Sequence, residues 1–363
     1  MPDRNANANR VRNIGKIYQK LGYDVFFIGN SNTHPTSKFV NLEPGMHYYN
    51  LKSPKKTMEW FKSLINWSEE FDIINKIENI KLIITNDYFG LKFLNLINWC
   101  HKQKIKIVCD VTEWSTTNGS FFKKGIKAFD NFFRYRIWSK KLDGVIAISE
   151  YLNNYFSKKT YSIRIPVLVD INFKKSKIDY GPIILAYAGF TNKTKDRLDI
   201  IINALNSNEL ENTNYIFNVI GCTYEDFEKE YGFNFSNSKI RFLGKLTHTD
   251  TLNILNDCHY SIFLRNPSKK NNAGFPTKFA ESFSSGVPVI TNETSDLKLY
   301  LHHGKNGFFV ENDKEKLISE LKSILKLNKE QYQEIKKAVI DSNFFNIENY
   351  VDKFVEFNKI IGI

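Results

Sequence analysis

Short apolar segments alternate with helical patterns in two successive series along this chain. In the second series the apolar segments are IILAYAG, NYIFNVIG, KIRFLGK, YSIFLR, VPVITN and GFFVEN (183–189, 214–221, 239–245, 260–265, 287–292 and 307–312). Apolar runs of this length, separated by helices, are typical of parallel strands that are buried on both faces. The pattern therefore predicts an α/β fold with helices on both faces of its sheets.

The first half of the chain shows the same alternation. Strands are predicted over 23–29, 81–86, 104–110, 144–149 and 162–170. Helices are predicted over 9–21, within 57–80, and over 91–103 and 150–157 in this half, and over 195–206, 247–256, 277–284, 295–301, 313–325 and 329–341 in the other. The loop-like stretch PDRNANAN begins at residue 2, so we expect either that the first strand of a doubly wound domain is missing or that the start of the chain has been set late.

A chain of 363 residues is long enough for two domains. The polar Gly-Pro stretch at 171–182 is the predicted linker. We expect tandem doubly wound, Rossmann-like domains over 1–172 and 183–343, and a terminal helix in 344–363 that packs back on the first domain. Ligands of such sheets bind beyond the carboxyl ends of the strands, so the expected site is the inter-domain cleft.

Charge, composition and motifs exclude several classes of protein. A net charge of +12 and a pI near 9.2 favour anionic partners, but no zinc-finger, RRM or helix-turn-helix signature is present, and we predict no nucleic-acid partner. No apolar run is long enough to span a membrane, and the N-terminus lacks a signal-peptide core. The cysteines and histidines show no metal-binding spacing, so we expect a cytoplasmic protein with reduced thiols and no metal site.

Cationic residues follow two strands of the second series. Gly189 ends the first strand, and Lys193 and Lys195 lie in the loop after it, where ammonium groups can meet a diphosphate. Arg265 is the last residue of the segment YSIFLR, directly after its apolar part. Its planar guanidinium suits bidentate phosphate binding. The alternatives are a solvated surface loop for the lysines and a salt bridge at the rim of the sheet for the arginine.

The segment NNAGFPTKFAESFSSGVPVITN (271–292) contains a second candidate anion site. Its turn feeds a helix N-terminus, whose free N–H groups favour anions, and Glu281 lies one turn further on, where it can accept sugar or ribose hydroxyls. The residues of this turn and helix start are Gly274, Phe275, Pro276, Thr277 and Lys278. Gly221 and Leu246, at two further strand ends, can flank a flat base. An ordinary loop–helix–strand unit is the alternative.

Two carboxylates follow a buried strand in the first half of the chain. Asp110 and Glu113, with Trp114, are candidates for acid–base chemistry or for binding acceptor hydroxyls. A helix cap with a core tryptophan is the alternative. The segment FFKKGIKAFDNFFRYRIWSKK (121–141) mixes aromatic and basic residues. It suits a peripheral contact with an anionic membrane, or a domain helix that buries its aromatic face.

The order of these motifs resembles the retaining glycosyltransferases of family 4, which have the GT-B fold. The resemblance rests on YAG, the lysine loop, FLR, AGFPTKFAESFSSGVPVITN and HGKNGFFVEN. AGFPTKF together with DVTEW is similar to bacterial enzymes of surface-polysaccharide synthesis. The resemblance implies a nucleotide-sugar donor, with UDP favoured over GDP, retention at the anomeric carbon, no cofactor and no essential metal.

The family's site residues carry over to individual positions. Lys195 matches the phosphate-binding lysine, with Lys193 as a near alternative, and Glu281 matches the second glutamate of a pair, which holds the ribose. Residues 274–277 would contact the donor sugar and phosphate, and Asn7 lies in the segment that corresponds to an N-terminal Gly-Gly loop. Two positions depart from the family: the first glutamate falls on Ala273, and the usual arginine after YAG falls on Phe190.

The resulting hypothesis is a hexosyltransferase-type enzyme of cell-surface glycan synthesis, such as capsule. It would transfer sugar to a polysaccharide, glycolipid or glycoprotein, in the cytoplasm or at the inner membrane face. The predicted catalytic residues are Lys195, Arg265, Glu113 and Asp110. Two alternatives remain: a catalytically inactive GT-B partner or chaperone, which Ala273 suggests, and a sugar-nucleotide epimerase.

Overall fold

The computed structural model describes residues 6–31, 34–54, 56, 58–59, 66–86, 90–114, 121–170, 181–190 and 192–363. The chain forms two compact units. Unit 1 comprises Met1–Leu168, Ala273–Phe275 and Ile347–Ile363, and unit 2 comprises Val169–Asn272 and Pro276–Asn346. The predicted linker lies outside the described residues except for Gly181 and Pro182.

Unit 1 contains two sheets within its described part. The first has the order β1-β3-β2, with strands β1 (Val25–Ser31), β2 (Val40–Glu43) and β3 (Met46–Lys52). The second is parallel and runs β4 (Leu82–Asn86), β5 (Lys106–Val111), β6 (Gly144–Ala147) and β7 (Ser162–Arg164). Strand β2 is antiparallel to β3, and neither of the two strands is predicted above, although the Pro44-Gly45 turn, with φ +72° at Gly45, marks that hairpin.

The helices of unit 1 follow the predicted order, with one changed boundary. They are α1 (Ala6–Lys20), α2 (Ser68–Ile74), α3 (Gly90–Lys102), α4 (Phe121–Phe132) and α5 (Glu150–Phe156). A π-helical turn, Phe133–Ile137, continues α4. The loop expected over residues 2–9 is helical from Ala6 onward. Buried Arg10 and Asn13 fix α1 through contacts with distant residues, which local sequence does not reveal.

Unit 2 contains a six-stranded parallel sheet of order β10-β9-β8-β11-β12-β13. Its strands are β8 (Ile183–Ala188), β9 (Tyr215–Ile220), β10 (Ile240–Gly244), β11 (Tyr260–Phe263), β12 (Val289–Thr291) and β13 (Gly307–Phe309). All six predicted strands are present, and the parallel α/β architecture is confirmed. The chain moves outward from β8 to β10 and then returns to β11 on the other side of β8, so the strand order reverses between β8 and β11.

The helices of unit 2 include two that the sequence patterns did not predict. The helices of this unit are α6 (Leu198–Leu205), α7 (Tyr224–Tyr231), α8 (His248–Asn256), α9 (Lys269–Ala273), α10 (Thr277–Ser284), α11 (Lys314–Ile324) and α12 (Lys329–Ser342). The unpredicted ones are α7 and α9. The helix expected over 295–301 is a 3₁₀ turn, Leu297–Leu299, because Ser295 has φ +53° and interrupts helical geometry.

The C-terminal helix α13 (Val351–Ile361) belongs to unit 1 and packs on α1. The Tyr18 hydroxyl donates to Oδ1 of Asn358 at 3.0 Å, and its ring meets the Phe354 ring edge-on at 5.5 Å. Both aromatic side chains belong to the buried core of unit 1. Within the part of the chain that the structure describes, no helix combines the length and the hydrophobicity that a membrane span requires.

Candidate functional site

The point where the strand order reverses brings two segments of unit 2 together. The loop after β8 pairs with the segment after β11 through a bridge between Asp196 and Arg265. The Arg197 N–H donates to the Leu264 carbonyl at 2.8 Å, and the Asn266 N–H donates to the Lys195 carbonyl at 3.2 Å. In doubly wound sheets this position, at the carboxyl ends of the strands, is where ligands bind.

A buried charged cluster lies at this position. The Lys278 ammonium, from the start of α10, donates to Oδ2 of Asp196 at 2.6 Å, and the Tyr187 hydroxyl donates to the same oxygen at 2.9 Å. Nε of Arg265 lies 3.9 Å from Oδ1 of Asp196. Asp196 and Arg265 are each 3% exposed. Two cations therefore share one carboxylate, which leaves a net positive charge.

The protonation states in the cluster follow from burial and mutual attraction. Burial alone would raise the pKa of Asp196, but the neighbouring Lys278 and Arg265 outweigh it and hold that pKa below its ordinary value. Burial lowers the pKa of Lys278 and of Arg265, and Asp196 opposes this in both. The cluster is thus most stable with all three groups charged.

Arg265 is also held by Asn271, a residue that sequence reasoning did not single out. The two terminal nitrogens of its guanidinium donate to the carbonyl and to Oδ1 of Asn271, at 3.4 and 3.1 Å. The Asn271 side chain in turn donates to the carbonyls of Lys195 and Asn266. The arginine and the lysine loop are therefore parts of one hydrogen-bonded structure.

Gly189 leaves the space that Lys278 occupies. A Cβ atom at residue 189 would lie 2.7 Å from Nζ of Lys278. The same ammonium lies 4.0 Å from the centre of the Tyr187 ring, a favourable cation–π distance. Phe190, the position where the family has arginine, is exposed, so Lys278 and Arg265 supply the charge at the end of β8.

The two predicted loop lysines are solvent-exposed. The Lys193 N–H donates to Oε1 of Glu230 at 2.9 Å, and the Lys193 carbonyl accepts from Asn266. The Lys195 carbonyl accepts from Asn266 and Asn271. These bonds use main-chain atoms, so the fold anchors the loop independently of the two ammonium groups.

Glu281 lies one turn into α10, as predicted, and has a partner that the sequence did not suggest. Nε2 of His248, at the start of α8, lies 2.9 Å from its Oε1. The Glu281 side chain is 16% exposed. The missed signal is the position of His248, just after the Gly244-Lys245-Leu246 strand end that we singled out for base binding.

The remaining predicted donor residues occupy strand ends and the start of α10. Gly221 packs on Gly189 so closely that a Cβ at 221 would lie 2.4 Å from the Gly189 carbonyl oxygen, and its φ is +106°. Leu246 is exposed at 39%. In the 274–277 turn, Phe275 is buried and Pro276 precedes the first residue of α10. These close contacts leave no room for a Cβ atom at residues 189 and 221, which explains why both are glycine.

In unit 1, Asp110 has a different environment from the predicted one. Arg10 contacts both of its carboxylate oxygens, at 2.7–3.0 Å, and the Asn86 amide donates to it at 3.0 Å. Arg10 also donates to the carbonyls of Ile165 and Pro166. Both charged residues are 2% exposed. These contacts do not support an acid–base role for Asp110 and indicate a structural ion pair.

The other predicted residues of unit 1 have partners outside this pair. Glu113 is exposed, and its carbonyl accepts from the Tyr135 hydroxyl, while the Trp114 ring stacks on Tyr135. The Asn7 amide donates to Oδ1 of Asn86 at 3.0 Å. A cavity of about 20 Å³ beside Asp110 has room for a water molecule but not for a sugar. Within the described ranges, no three His, Cys, Asp or Glu residues are grouped to hold a metal.

Comparison with known proteins identifies the region that contains the charged cluster. Residues 169–341 match the family described as "Glycosyl transferases group 1". This stretch is a group 1 glycosyltransferase domain. The predicted enzyme class is thereby confirmed, and the cluster of Asp196, Arg265 and Lys278 belongs to the glycosyltransferase domain. No sequence among the curated proteins matches the chain.

Solved structures extend the likeness to nearly the whole chain. Sucrose-phosphate synthase from Thermosynechococcus elongatus has a TM-score of 0.71 at 16% identity, over 96% of this chain and 92% of that one. A glycosyltransferase from Rickettsia africae has a TM-score of 0.68 at 15% identity, over 98% of this chain and 94% of that one. HepE from Anabaena, in complex with UDP, has a TM-score of 0.63 at 13% identity, over 93% of this chain and 99% of that one. At these identities the likeness shows the fold, and the predicted GT-B fold is confirmed.

Proposed function

We propose that this protein is a retaining glycosyltransferase that moves a sugar from a UDP-sugar to a polysaccharide, glycolipid or glycoprotein acceptor in cell-surface glycan synthesis. The observation that carries the proposal is the buried, net positive cluster at the end of β8, inside the glycosyltransferase domain. HepE, a protein of the same fold, binds UDP, which supports UDP as the nucleotide.

The diphosphate and the ribose of the donor each have matching groups in unit 2. Lys278, Arg265 and the exposed Lys195 are the cations for the diphosphate. Glu281 accepts the ribose hydroxyls, with one carboxylate oxygen already beside His248. The glycines at 189 and 221 let Lys278 and the two strand ends pack closely together at the edge where the diphosphate would bind.

The proposed reaction needs no protein nucleophile. The bond between the anomeric carbon and the leaving phosphate breaks, and the acceptor oxygen bonds to the same face of that carbon. The leaving phosphate takes the proton of the acceptor hydroxyl. The cations stabilise the charge that develops on the diphosphate, and fixed electrostatic groups of this kind often make the largest contribution to catalysis.

A panel of nucleotide sugars tests the proposal. UDP-sugars are expected to raise the melting temperature, because a ligand at 100 times its Kd stabilises the native state by about 2.7 kcal/mol. Release of UDP, with an α-linked product from an α-linked donor, would show retaining transfer by NMR. Conversion of one sugar nucleotide into another without acceptor would indicate the epimerase instead, and stabilisation by GDP-sugars alone would contradict the UDP assignment.

Ala273 is the observation behind the alternative that the protein is a catalytically inactive partner of another enzyme. It is fully buried and occupies the position of the family's first paired glutamate, so it supplies no carboxylate. A purified protein that neither hydrolyses nor transfers any donor in the panel would favour a scaffold for another enzyme. Turnover of a donor would exclude it.

We further propose that α4 and the turn after it contact an anionic membrane. Phe129, Phe132 and Ile137 are 55%, 47% and 38% exposed, so part of the aromatic face that we considered as core is in solvent. Arg136, whose guanidinium lies 5.3 Å from the Phe132 ring, is exposed as well, with Lys140 nearby. Apolar side chains flanked by cations suit the boundary between headgroups and acyl chains.

Vesicle co-sedimentation tests this contact. Changing Phe129 and Phe132 together to Asp is expected to lower partitioning onto vesicles of anionic lipid at least tenfold, because each buried phenyl ring contributes roughly 1.5–3 kcal/mol. Ile340→Asp, at a similarly exposed position on α12, is the matched control and should leave partitioning unchanged. Equal binding of the double variant and the native protein would rule the surface out.

A further inference from the structure

We infer that Asp196 is a positioning residue for sugar transfer: its carboxylate keeps the Lys278 ammonium charged and in place at the end of β8, beside the Arg265 guanidinium. The inference rests on the function proposed above, in which Lys278 and Arg265 face the donor diphosphate. Asp196 itself needs no contact with the donor, because it acts through the two cations.

The two oxygens of Asp196 have different roles in the cluster. Oδ2 accepts from both Lys278 and Tyr187, at 2.6 and 2.9 Å, so it is fixed from two sides. Oδ1 of Asp196 lies 3.9 Å from Nε of Arg265, and neither atom makes a hydrogen bond within the described part of the chain. The carboxylate is therefore fastened to Lys278 and only loosely to Arg265. The guanidinium instead donates its hydrogen bonds to Asn271, through its two terminal nitrogens.

Burial makes the charge on Lys278 depend on Asp196. Desolvation lowers the pKa of Lys278, and the Asp196 carboxylate is the main group that opposes it. Arg265 acts in the same direction as burial, and Glu281, on the same helix, opposes it more weakly. The remaining neighbours are Tyr187 on β8 and Cys222 past β9, both neutral because burial raises the pKa of each.

The consequence for pH has a definite sign. The Asp196 carboxylate raises the pKa of Lys278 against the effect of burial, so the ammonium keeps its proton to a higher pH than it would without this partner. Without that carboxylate, a buried amine beside Arg265 loses its proton at a lower pH. Since the charged form is the one that stabilises the leaving diphosphate, the alkaline limb of the pH–rate profile should move toward neutral pH.

Asp196→Asn tests the inference by kinetics. We expect kcat at pH 7.5 to fall at least tenfold, the KM for the donor to change less than threefold, and the alkaline limb of kcat to move down by about one pH unit. Asp199→Asn is the matched control. It removes a carboxylate three residues away that pairs with Arg197 at 2.6 Å, outside the cluster, and should leave kcat and the pH profile unchanged.

Lys278→Arg keeps the inference falsifiable if Asp196→Asn does not fold. A guanidinium stays charged throughout this pH range, so the alkaline limb should disappear in this variant and stay absent when Asp196→Asn is added. A native alkaline limb in Lys278→Arg overturns the inference, and so does Asp196→Asn with native kcat and pH profile but a lower melting temperature. An inactive wild-type protein contradicts the proposed function itself, whereas active wild type with unaffected variants contradicts the inference alone.

Discussion

Asp110→Ala is expected to lower the free energy of unfolding of unit 1 by about 3–5 kcal/mol, because removal of one partner leaves a buried charge uncompensated. The Arg10 guanidinium, 2% exposed, would keep only the carbonyls of Ile165 and Pro166 as acceptors. Denaturant unfolding followed by tryptophan fluorescence measures the effect on this unit, because every tryptophan lies between residues 60 and 138.

An exposed ion pair of unit 1 supplies the control. Lys20 and Glu348 are 2.6 Å apart, with side chains that are 42% and 58% exposed. Glu348→Ala should cost less than about 1 kcal/mol. Replacing Arg10 by Met together with Asp110 by Leu should recover much of the loss, since apolar groups can replace a buried pair. A cost below 1 kcal/mol for Asp110→Ala would mean that the pair does not stabilise the unit.

Lys195→Ala is expected to reduce sugar transfer by about 10²–10³-fold, since loss of one group that stabilises developing charge costs roughly 3 kcal/mol. The fold should survive, because the hydrogen bonds that Asn266 and Asn271 donate to the Lys195 carbonyl use the main chain and are kept in the variant. Steady-state kinetics with the best donor of the panel gives the loss, and an unchanged melting temperature confirms folding.

Lys193→Ala separates the two loop lysines. Lys193 is equally exposed and also anchored through main-chain atoms, so its substitution changes the local charge by the same amount. We expect a loss of less than about tenfold. If Lys193→Ala is the inactive variant and Lys195→Ala is not, the phosphate role belongs to Lys193. Native turnover in both would contradict the assignment of the loop.

The strands of unit 2 were predictable because most of them are buried along most of their length and read as apolar runs. Helix ends with side-chain caps were predictable too: Asn328 and Gln331 form a capping box at the start of α12. The same kind of signal was overlooked for α7, where Thr223 and Asp226 cap each other. Strands β2 and β3 were both missed, because each is only partly buried and neither reads as an apolar run.

The candidate site was predictable only in part. Glycine strand ends, the lysine loop and the turn before α10 are local features, and the sequence displays them. The partners of the charged groups are not local. Lys278 and Asp196 are 82 residues apart, and Arg10 and Asp110 are 100 residues apart. The sequence therefore suggested Asp110 as an acid–base group and passed over Asp196, which lies beside a predicted residue.

Hydrophobic periodicity and loop motifs act over a few residues, so the α/β class, the order of the buried strands along the chain and the family of its second half could be read from the residues alone. Which charges meet depends on the three-dimensional arrangement. The reversal of strand order puts β11 beside β8, and this brings Arg265 and Lys278 to one carboxylate, Asp196. Because electrostatic interaction depends on distance and burial, those roles existed only once the fold had set both.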